Sequence, residues 1–390
     1  MTWKTVQIHS SGTLFSIFGD EWRRIYDLDI NADFRKRFPD PNEIHYGWKL
    51  YYPPEIKVTQ QEYSFVKLKP VLPKGNVIFV APQALGDTIA QTPLISYYKK
   101  LANITTIISQ NTDLINCPDL CDHFIKAREI DIPQVINSII NDNDLIVWGA
   151  AMDTKEFEII RKSFDSQMAW LGKIFGTVLD GIHTFHSWHK HFTLYAEQHN
   201  LKNIDFAASF FVAFGINPDD IDYNTKVHIK HINQKLPPKS IVIHTGSKHA
   251  DRKIEHNEVY KMSQILRKNG FNPIVTYDKL LCNPYTGIPS GIDHEKLLKD
   301  LDIFVMDSSG MDFYNIIDQA DVFISPDTGP AHVRHSLKKP LIAIESSIPV
   351  KYLYKRYDQM RVYDKIPTRT RYGLTDFDVT HMCNLVKELI

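Results

Sequence analysis

The chain of 390 residues is long enough for two or three domains, and its hydrophobic content of 43% and charged content of 23% are those of a globular protein. A formal net charge of −1 excludes the overall positive field with which proteins hold nucleic acid nonspecifically. No apolar stretch approaches the ~20 residues that cross a bilayer, no signal peptide is visible, and the four cysteines are scattered. We therefore expect a cytoplasmic protein without a transmembrane segment or a disulfide framework.

Residues 1–56 are predicted to form a small separate module of α+β structure. Its predicted parts are a strand at Thr5–Ile8, helices at Thr13–Phe18 and Trp22–Asn31, and a closing run Gly47-Trp-Lys-Leu-Tyr-Tyr-Pro53. The pattern resembles a LysM module, although Ser11-Gly12 replaces its opening Gly-Asp and residues 33–38 lengthen its middle. The resemblance implies either binding of N-acetylglucosamine-containing glycans or a packing or oligomerisation role, and both alternatives stay open.

Residues 57–220 are predicted to form a first Rossmann-like domain, which opens with a polar connector over residues 57–74. The predicted strands are Val77–Ala81, Thr105–Ser109 and Leu145–Trp148, with helices between them, notably Asp87–Leu101. Residues 160–215 are predicted to be long, helical and rich in aromatic residues and histidine. Alternation of strands and helices predicts a parallel sheet with helices on both faces.

Residues 221–390 repeat this alternation and are predicted to form a second Rossmann-like domain. Its predicted strands are Ile241–His244, Asn272–Thr276, Ile303–Met306, Val322–Ser325 and Leu341–Ile344, and its predicted helices are His256–Asn269, Asp312–Gln319 and Pro330–Leu337. The fold class is therefore α/β, with two doubly wound domains. Ligands of such sheets bind outside the carboxyl ends of the strands.

The run Ile324-Ser-Pro-Asp-Thr-Gly-Pro-Ala-His332 carries the clearest chemical signal in the chain. Gly329 allows a tight turn and Pro330 is favoured at the first helical position, so a helix is predicted to begin here. The free amides of a helix start bind anions, and Thr328 and His332 add donors beside Asp327. The run is a candidate seat for a diphosphate, with a plain cap and turn as the alternative.

This run resembles the SPDTG-P-x-H signature of the bacterial heptosyltransferase family, glycosyltransferase family 9. Two more segments similar to that family follow its order: Asn76–Leu94 with Leu85-Gly86-Asp87, and Ser240–Ser247 followed by Lys253. The resemblance covers roughly residues 75–350. It implies a GT-B fold, in which the two Rossmann-like domains face a cleft and the final helix packs back on the N-terminal domain.

The resemblance also implies the reaction, which is inverting transfer of a sugar from a nucleotide-diphosphate donor to a hydroxyl acceptor. The donor would be ADP-heptose or a related ADP- or UDP-linked sugar, with no metal and no other cofactor. The first Rossmann-like domain would hold the acceptor, most simply a cell-envelope saccharide, and the second the donor. Oligomers, a peripheral membrane contact and an origin in a bacterium or a phage-infected host stay open.

Roles of individual residues follow from the same resemblance. Asp87 would be the catalytic base, with an N-cap as the alternative. The donor-binding residues would be Thr245, Gly246, Ser247, Lys253, Asp278, Asp327, Thr328, Gly329 and His332, and the acceptor-side residues Gln83 and Gly86. Apart from the resemblance, His186 and Trp188 lie in a stretch rich in histidine and aromatic residues that could stack on a sugar or a base, with core and linker helix as the alternative. The family's K-x-W-P reads Lys253-Ile-Glu-His256 here, so the tryptophan and proline are absent.

A metal site is a candidate at Cys117, Cys121 and His123. The spacing Cys-x3-Cys would place both sulfurs on one face of a helix. A structural zinc site needs four ligands and no second pair lies nearby, so buried thiols are expected.

Two other functions remain open. Phage-type enzymes that glycosylate a hydroxylated DNA base also have GT-B folds, and a degenerate transferase joined to a LysM-like module could be a non-catalytic glycan-binding or assembly protein.

Overall fold

Parallel strands alternating with helices form two sheets in different parts of the computed structural model. The structure describes residues 3–8, 14–41, 44, 48–58, 70, 72–81, 84–128, 131–141, 144–148, 168–170, 192–193, 195–230, 235–245, 252–277, 304–307, 312–346, 348–370 and 373–390. The chain divides into two compact units, one of Met1–Gln60 with Ile229–Ile390 and one of Gln61–His228. The first unit thus unites the N-terminal module with the second Rossmann-like domain.

The N-terminal module is framed by an antiparallel pair, β1 (Lys4–Gln7) and β2 (Lys49–Tyr52). Between these strands lie α1 (Leu14–Phe18), α2 (Trp22–Tyr26) and α3 (Ala32–Arg37), with 3₁₀ turns at Gly19–Glu21 and Asp29–Asn31. Buried apolar side chains from all five elements form one core. The resemblance of this module to LysM modules stays a prediction.

The predicted helix Trp22–Asn31 is wrong in its length, because the helix ends at Tyr26. The buried amide of Asn31 donates to the carbonyls of Ile25, at 2.8 Å, and Tyr51, at 2.9 Å. These bonds tie the chain after α2 to β2. The predicted insertion at residues 33–38 forms most of α3.

The unit Gln61–His228 contains a parallel sheet, in which the predicted strands are confirmed and two edge strands are added. The strands are β3 (Val77–Val80), β4 (Thr105–Ser109), β5 (His123–Lys126), β6 (Leu145–Trp148) and β7 (Met168–Trp170), in the order β5-β4-β3-β6-β7. The helices are α4 (Leu85–Lys99), α5 (Thr112–Ile115), α6 (Ile132–Ile139) and α7 (Phe206–Ala213). The order reverses between β3 and β6, so the sheet is doubly wound.

The helix α7 is buried along its whole length and packs against α4. Asp205 caps it by accepting hydrogen bonds from the amides of Ala207, at 3.0 Å, and Ala208, at 3.3 Å. The Tyr223 hydroxyl donates to the second carboxylate oxygen of Asp205 at 2.6 Å. The two amides and the tyrosine hydroxyl therefore supply hydrogen bonds to the buried carboxylate of Asp205.

The second Rossmann-like domain has a parallel sheet in the order β10-β9-β8-β11-β12-β13. Its strands are β8 (Ser240–His244), β9 (Asn272–Tyr277), β10 (Phe304–Asp307), β11 (Val322–Ser325), β12 (Leu341–Ile344) and β13 (Met360–Tyr363), followed by the hairpin β14 (Thr368–Thr370) and β15 (Gly373–Thr375). Its helices are α8 (His256–Lys268), α9 (Asp312–Gln319), α10 (Gly329–Ser336) and α11 (Val379–Lys387). The predicted α/β class with two doubly wound sheets is confirmed.

The final helix, α11, packs on the sheet of the second Rossmann-like domain, and the expectation that it also packs back on the first stays a prediction. Met382, Val386 and neighbouring apolar residues of α11 share a core with β8 and β11, and α11 lies against α8. The Tyr363 hydroxyl of β13 accepts a hydrogen bond from the Asp378 amide at 2.7 Å, which fixes the helix start on the sheet.

Candidate active site

The predicted donor residues converge on one point of the second Rossmann-like sheet. Its strand order reverses between the neighbouring strands β8 and β11. Thr245 directly follows β8, and Asp327, Thr328 and Gly329 directly follow β11. A doubly wound sheet binds its ligands in the crevice outside the carboxyl ends of the strands at such a switch point.

The turn after β11 is held by its own hydroxyl groups. Ser325 and Thr328 share a hydrogen bond of 2.8 Å between their hydroxyls, and Thr328 caps α10 by accepting from the amide of Ala331. The Thr328 carbonyl also accepts from the amides of Ala331 and His332, and Pro330 has no amide hydrogen. The start of α10 thus has fewer free amides than the sequence predicts. Binding of an anion here therefore depends on nearby side chains.

Asp327 lies between the side chains of Arg252 and His332. Its side chain is 7% exposed, and one carboxylate oxygen lies 3.0 Å from Nη1 of Arg252. The other lies 3.5 Å from Nε2 of His332 on the first turns of α10. We conclude that Asp327 orients both groups. None of the sequence motifs indicates Arg252 as a site residue.

Tyr354 forms an apolar wall beside this cluster. Its ring centroid lies 4.7 Å from that of His332 and 5.2 Å from that of His335. Burial, followed by the charge of Asp327, raises the pKa of the Tyr354 hydroxyl well above its ordinary value. The phenol therefore stays neutral and does not act as a base.

Lys253 lies next to Arg252 and is partly buried, so desolvation lowers the pKa of its ammonium group. Within the part of the chain that the structure describes, no hydrogen bond or ion pair satisfies this group. A desolvated cation of this kind suits an anionic ligand, which would restore the lost solvation.

The backbone around Lys253 is held by the β14–β15 hairpin. The Leu374 amide donates to the Lys253 carbonyl at 2.6 Å, and the Leu374 carbonyl accepts from the Glu255 amide at 3.0 Å. Gly373 has φ of +150°, and a Cβ there would lie 2.7 Å from the Lys253 carbonyl oxygen. Only glycine permits this close approach.

Thr245 is at the predicted place but uses its polar groups inside the fold. Its amide and its hydroxyl both donate to the carbonyl of Thr276 on β9, each at 3.1 Å. The side chain therefore shapes the end of β8, and its hydroxyl is not available to a phosphate in this arrangement. Gly246, Ser247 and Asp278 lie outside the described residues.

Asp87 lies after β3, at the switch point of the other sheet, in the first turn of α4. The N-cap of α4 is Ala84, so the alternative that Asp87 is the cap is wrong. Its side chain is partly buried, and Gly86 beside it is buried. The other predicted acceptor-side residues, Gln83, His186 and Trp188, lie outside the described residues.

Cys117 and Cys121 are free, buried thiols, as predicted, and burial raises the pKa of each. They flank a turn and not a helical face, because the Leu120 amide donates to the Cys117 carbonyl at 2.8 Å. Over the described residues, no group of three or more His, Cys, Asp or Glu is placed to hold a metal ion. In the same part of the chain, no helix has the length and apolarity to cross a membrane.

Comparison with known proteins gives matches in structure only. No model of a known family matches the sequence, and no curated protein matches it. Among solved structures, the ADP-heptose LPS heptosyltransferase II of E. coli is similar with a TM-score of 0.54 at 11% identity, over 80% of this chain and 98% of that one. The E. coli heptosyltransferase WaaC with ADP gives 0.51 at 10% identity, over 81% and 100%.

A glycosyl transferase family 9 structure from Veillonella parvula has a TM-score of 0.50 at 12% identity, over 82% of this chain and 98% of that one. These likenesses span nearly the whole of each solved chain. At such low sequence identity these matches establish the fold but do not identify the substrate. The chain therefore has the fold of the family 9 heptosyltransferases.

Proposed function

We propose that the protein is a nucleotide-sugar-dependent glycosyltransferase whose nucleoside diphosphate binds at the switch point between β8 and β11. The observation that carries the proposal is the partly buried Lys253, whose ammonium has no partner among the described residues, beside the Arg252–Asp327–His332 cluster. These groups present positive charge at the edge of the sheet where such folds bind nucleotides. The glycosyltransferase fold supports the same conclusion.

Transfer of the sugar would leave a nucleoside diphosphate that gains negative charge as the glycosidic bond breaks. Cations already in place stabilise that developing charge without reorganising during the reaction. Lys253 would contact the diphosphate, and Arg252, oriented by Asp327, would lie behind it. We propose that these side chains suffice and that the donor needs no metal.

Asp87 is proposed as the base that removes the acceptor proton. An inverting transfer uses one carboxylate to deprotonate the acceptor hydroxyl while that oxygen attacks the anomeric carbon opposite the leaving diphosphate. Asp87 lies in the first turn of α4, directly after β3, at the switch point where doubly wound sheets bind their ligands. One solved structure with this fold carries ADP and another is an ADP-heptose transferase, so ADP-heptose is the first donor to test.

The acceptor is proposed to be a cell-envelope saccharide in the cytoplasm or at the inner membrane face. A hydroxylated DNA base is the second candidate, and a non-catalytic glycan-binding role is the third. The net charge of −1 weighs against DNA, because a duplex is held mainly through phosphate neutralisation.

The test of this function is release of nucleoside diphosphate from ADP-heptose in the presence of lipopolysaccharide-core acceptor, with and without EDTA. We expect release that EDTA does not suppress and that falls at least ~100-fold in Asp87→Asn, with donor affinity unchanged, because only a transition-state interaction is lost. Full activity of Asp87→Asn would show that Asp87 is not the catalytic base. Complete loss in EDTA would contradict metal independence.

A further inference from the structure

The N-terminal module is joined to the second Rossmann-like domain through Arg37, the last residue of α3. Arg37 is only 3% exposed, and its guanidinium carbon lies 3.6 Å from the centroid of the Trp48 ring of the same module. Nη1 donates to the carbonyl of Ser346, and Nη2 lies 4.0 Å from a carboxylate oxygen of Glu345. Both of these residues directly follow β12.

A buried arginine is a costly way to join two parts of a fold. Burial lowers the pKa of Arg37 to about 10 and raises the pKa of Glu345. Nε and Nη2 of Arg37 have no hydrogen-bond partner within the described residues. Apolar residues often stabilise such contacts equally well, so stability alone does not account for this buried pair.

The segment that Arg37 contacts continues directly into the candidate site. The Glu345 carboxylate accepts from the Val350 amide at 3.4 Å, at the start of the 3₁₀ turn Val350–Tyr352. The Tyr354 amide then donates to the Val350 carbonyl at 3.0 Å. Tyr354 in turn packs on His332. Residues 345–346 and 348–354 thus connect the module to the wall of the nucleotide site.

The module contacts the other wall independently. The helix α3 lies against β14, and the β14–β15 hairpin supports the segment that carries Arg252 and Lys253. The Thr370 hydroxyl of β14 donates to the Glu255 carboxylate, and Ile254 forms a bridge with Leu374. One short helix therefore supports both segments that flank the switch point.

We propose that Arg37 is a positioning residue for the nucleotide site and that the docked N-terminal module sets the affinity for the nucleoside diphosphate. Arg37 fixes Glu345 and Ser346 and, through them, residues 348–354, while α3 supports the β14–β15 hairpin. The inference rests on the proposed function, since its ligand is the diphosphate product of that reaction. It assigns the module to the packing role, in place of an independent glycan-binding tail.

The test compares Arg37→Met with Lys36→Met, which removes an exposed cation, 58% accessible, from the same helix. ADP affinity is measured by calorimetry on the full chain, far below the unfolding temperature. We expect Arg37→Met to raise the Kd for ADP between about threefold and thirtyfold and Lys36→Met to leave it unchanged. Glu345→Gln should weaken binding in the same direction, and the double variant should bind no more weakly than Arg37→Met, because both act through one segment.

Hydrogen exchange provides a second readout, because a purely structural role predicts no effect of ADP on amides of the N-terminal module. Because coupling is reciprocal, ADP should slow exchange of the Phe38 amide, which donates to the Phe34 carbonyl in the module. Without ligand, the Tyr354 amide should exchange faster in Arg37→Met than in Lys36→Met.

The outcomes separate this inference from the proposed function. Failure of the wild-type chain to bind any nucleoside diphosphate overturns the proposed function and the affinity claim with it. Binding of ADP that is equal in all variants, with unchanged exchange at Tyr354, overturns the positioning role alone. A folded Arg37→Met chain with weakened ADP binding and faster exchange at Tyr354 supports it.

Discussion

Replacement of Gly373 by alanine tests whether the β14–β15 hairpin sets the position of Lys253. The new Cβ would lie 2.7 Å from the Lys253 carbonyl oxygen and 3.1 Å from Cγ of Glu255. The first neighbour is backbone and cannot rotate away. A φ of +150° is also a conformation that alanine avoids.

Gly270→Ala is the control, because it places alanine at another glycine of positive φ without the steric contact. Gly270, just after α8, has φ of +79°, and a Cβ there would meet nothing within 4 Å. Its cost is the left-handed conformation alone, about 1 kcal/mol. At Gly373 the Gly-only conformation, the displaced carbonyl and the weakened bond to the Leu374 amide together predict a loss of about 3 to 5 kcal/mol.

The assay is chemical denaturation of both variants, followed by ADP calorimetry on whichever remains folded at low temperature. We expect Gly373→Ala to unfold at clearly lower denaturant than Gly270→Ala and to bind ADP about tenfold more weakly, because Lys253 is displaced. Gly270→Ala should bind ADP like the wild type. Equal stability and equal ADP affinity in the two variants would refute the role given to the hairpin.

Three further predictions concern caps and charge. Thr328→Val should cost about 1 kcal/mol of unfolding free energy by loss of the α10 cap, whereas Thr328→Ser, which keeps the hydroxyl, should be near neutral; equal losses would contradict the cap. Tyr223→Phe should cost about 1.5 to 3 kcal/mol, because it removes the buried bond to the Asp205 carboxylate, and an unchanged denaturation midpoint would show that bond to be dispensable. ADP affinity should fall as the pH rises through the lowered pKa of Lys253, below the ordinary 10.5, because only the protonated ammonium attracts a diphosphate, and a Lys253→Met variant should lack this titration.

The stability effect of Lys253 has the opposite sign to its effect on binding. Desolvation disfavours the charged form in the folded state, so the unfolded chain binds more protons between the lowered pKa and 10.5. Removal of this cation should therefore stabilise the ligand-free protein at neutral pH while weakening ADP binding. A charged group that is positioned to bind a ligand commonly lowers the stability of the ligand-free protein.

The interior strands were predictable because each is a short apolar run bounded by turn residues. β4, β6, β11 and β12 begin and end where the sequence predicts. The edge strand β5 has no fully buried residue, so its sequence carries no apolar run to detect. Strand order also could not be predicted from the chain, since it depends on contacts between distant segments.

The place of the candidate site was predictable, but its internal bonding was not. Motif position and chain order located Thr245 and Asp327 at the carboxyl ends of β8 and β11. The pairing of Arg252 with Asp327, residues far apart in the chain, emerges only when the two strand ends meet. Likewise, the sequence could not tell that the Thr245 hydroxyl is bonded to Thr276.

The most direct test of the central claim is calorimetric titration of the full chain with ADP, UDP, GDP and CDP, each with and without Mg²⁺, alongside Lys253→Met. The account predicts that one nucleoside diphosphate binds without Mg²⁺, stabilises the fold by ~2.7 kcal/mol at 100 times its Kd, and loses affinity in Lys253→Met. Failure of every nucleotide to bind, or equal affinity in Lys253→Met, would contradict the claim that the β8–β11 switch point holds the diphosphate.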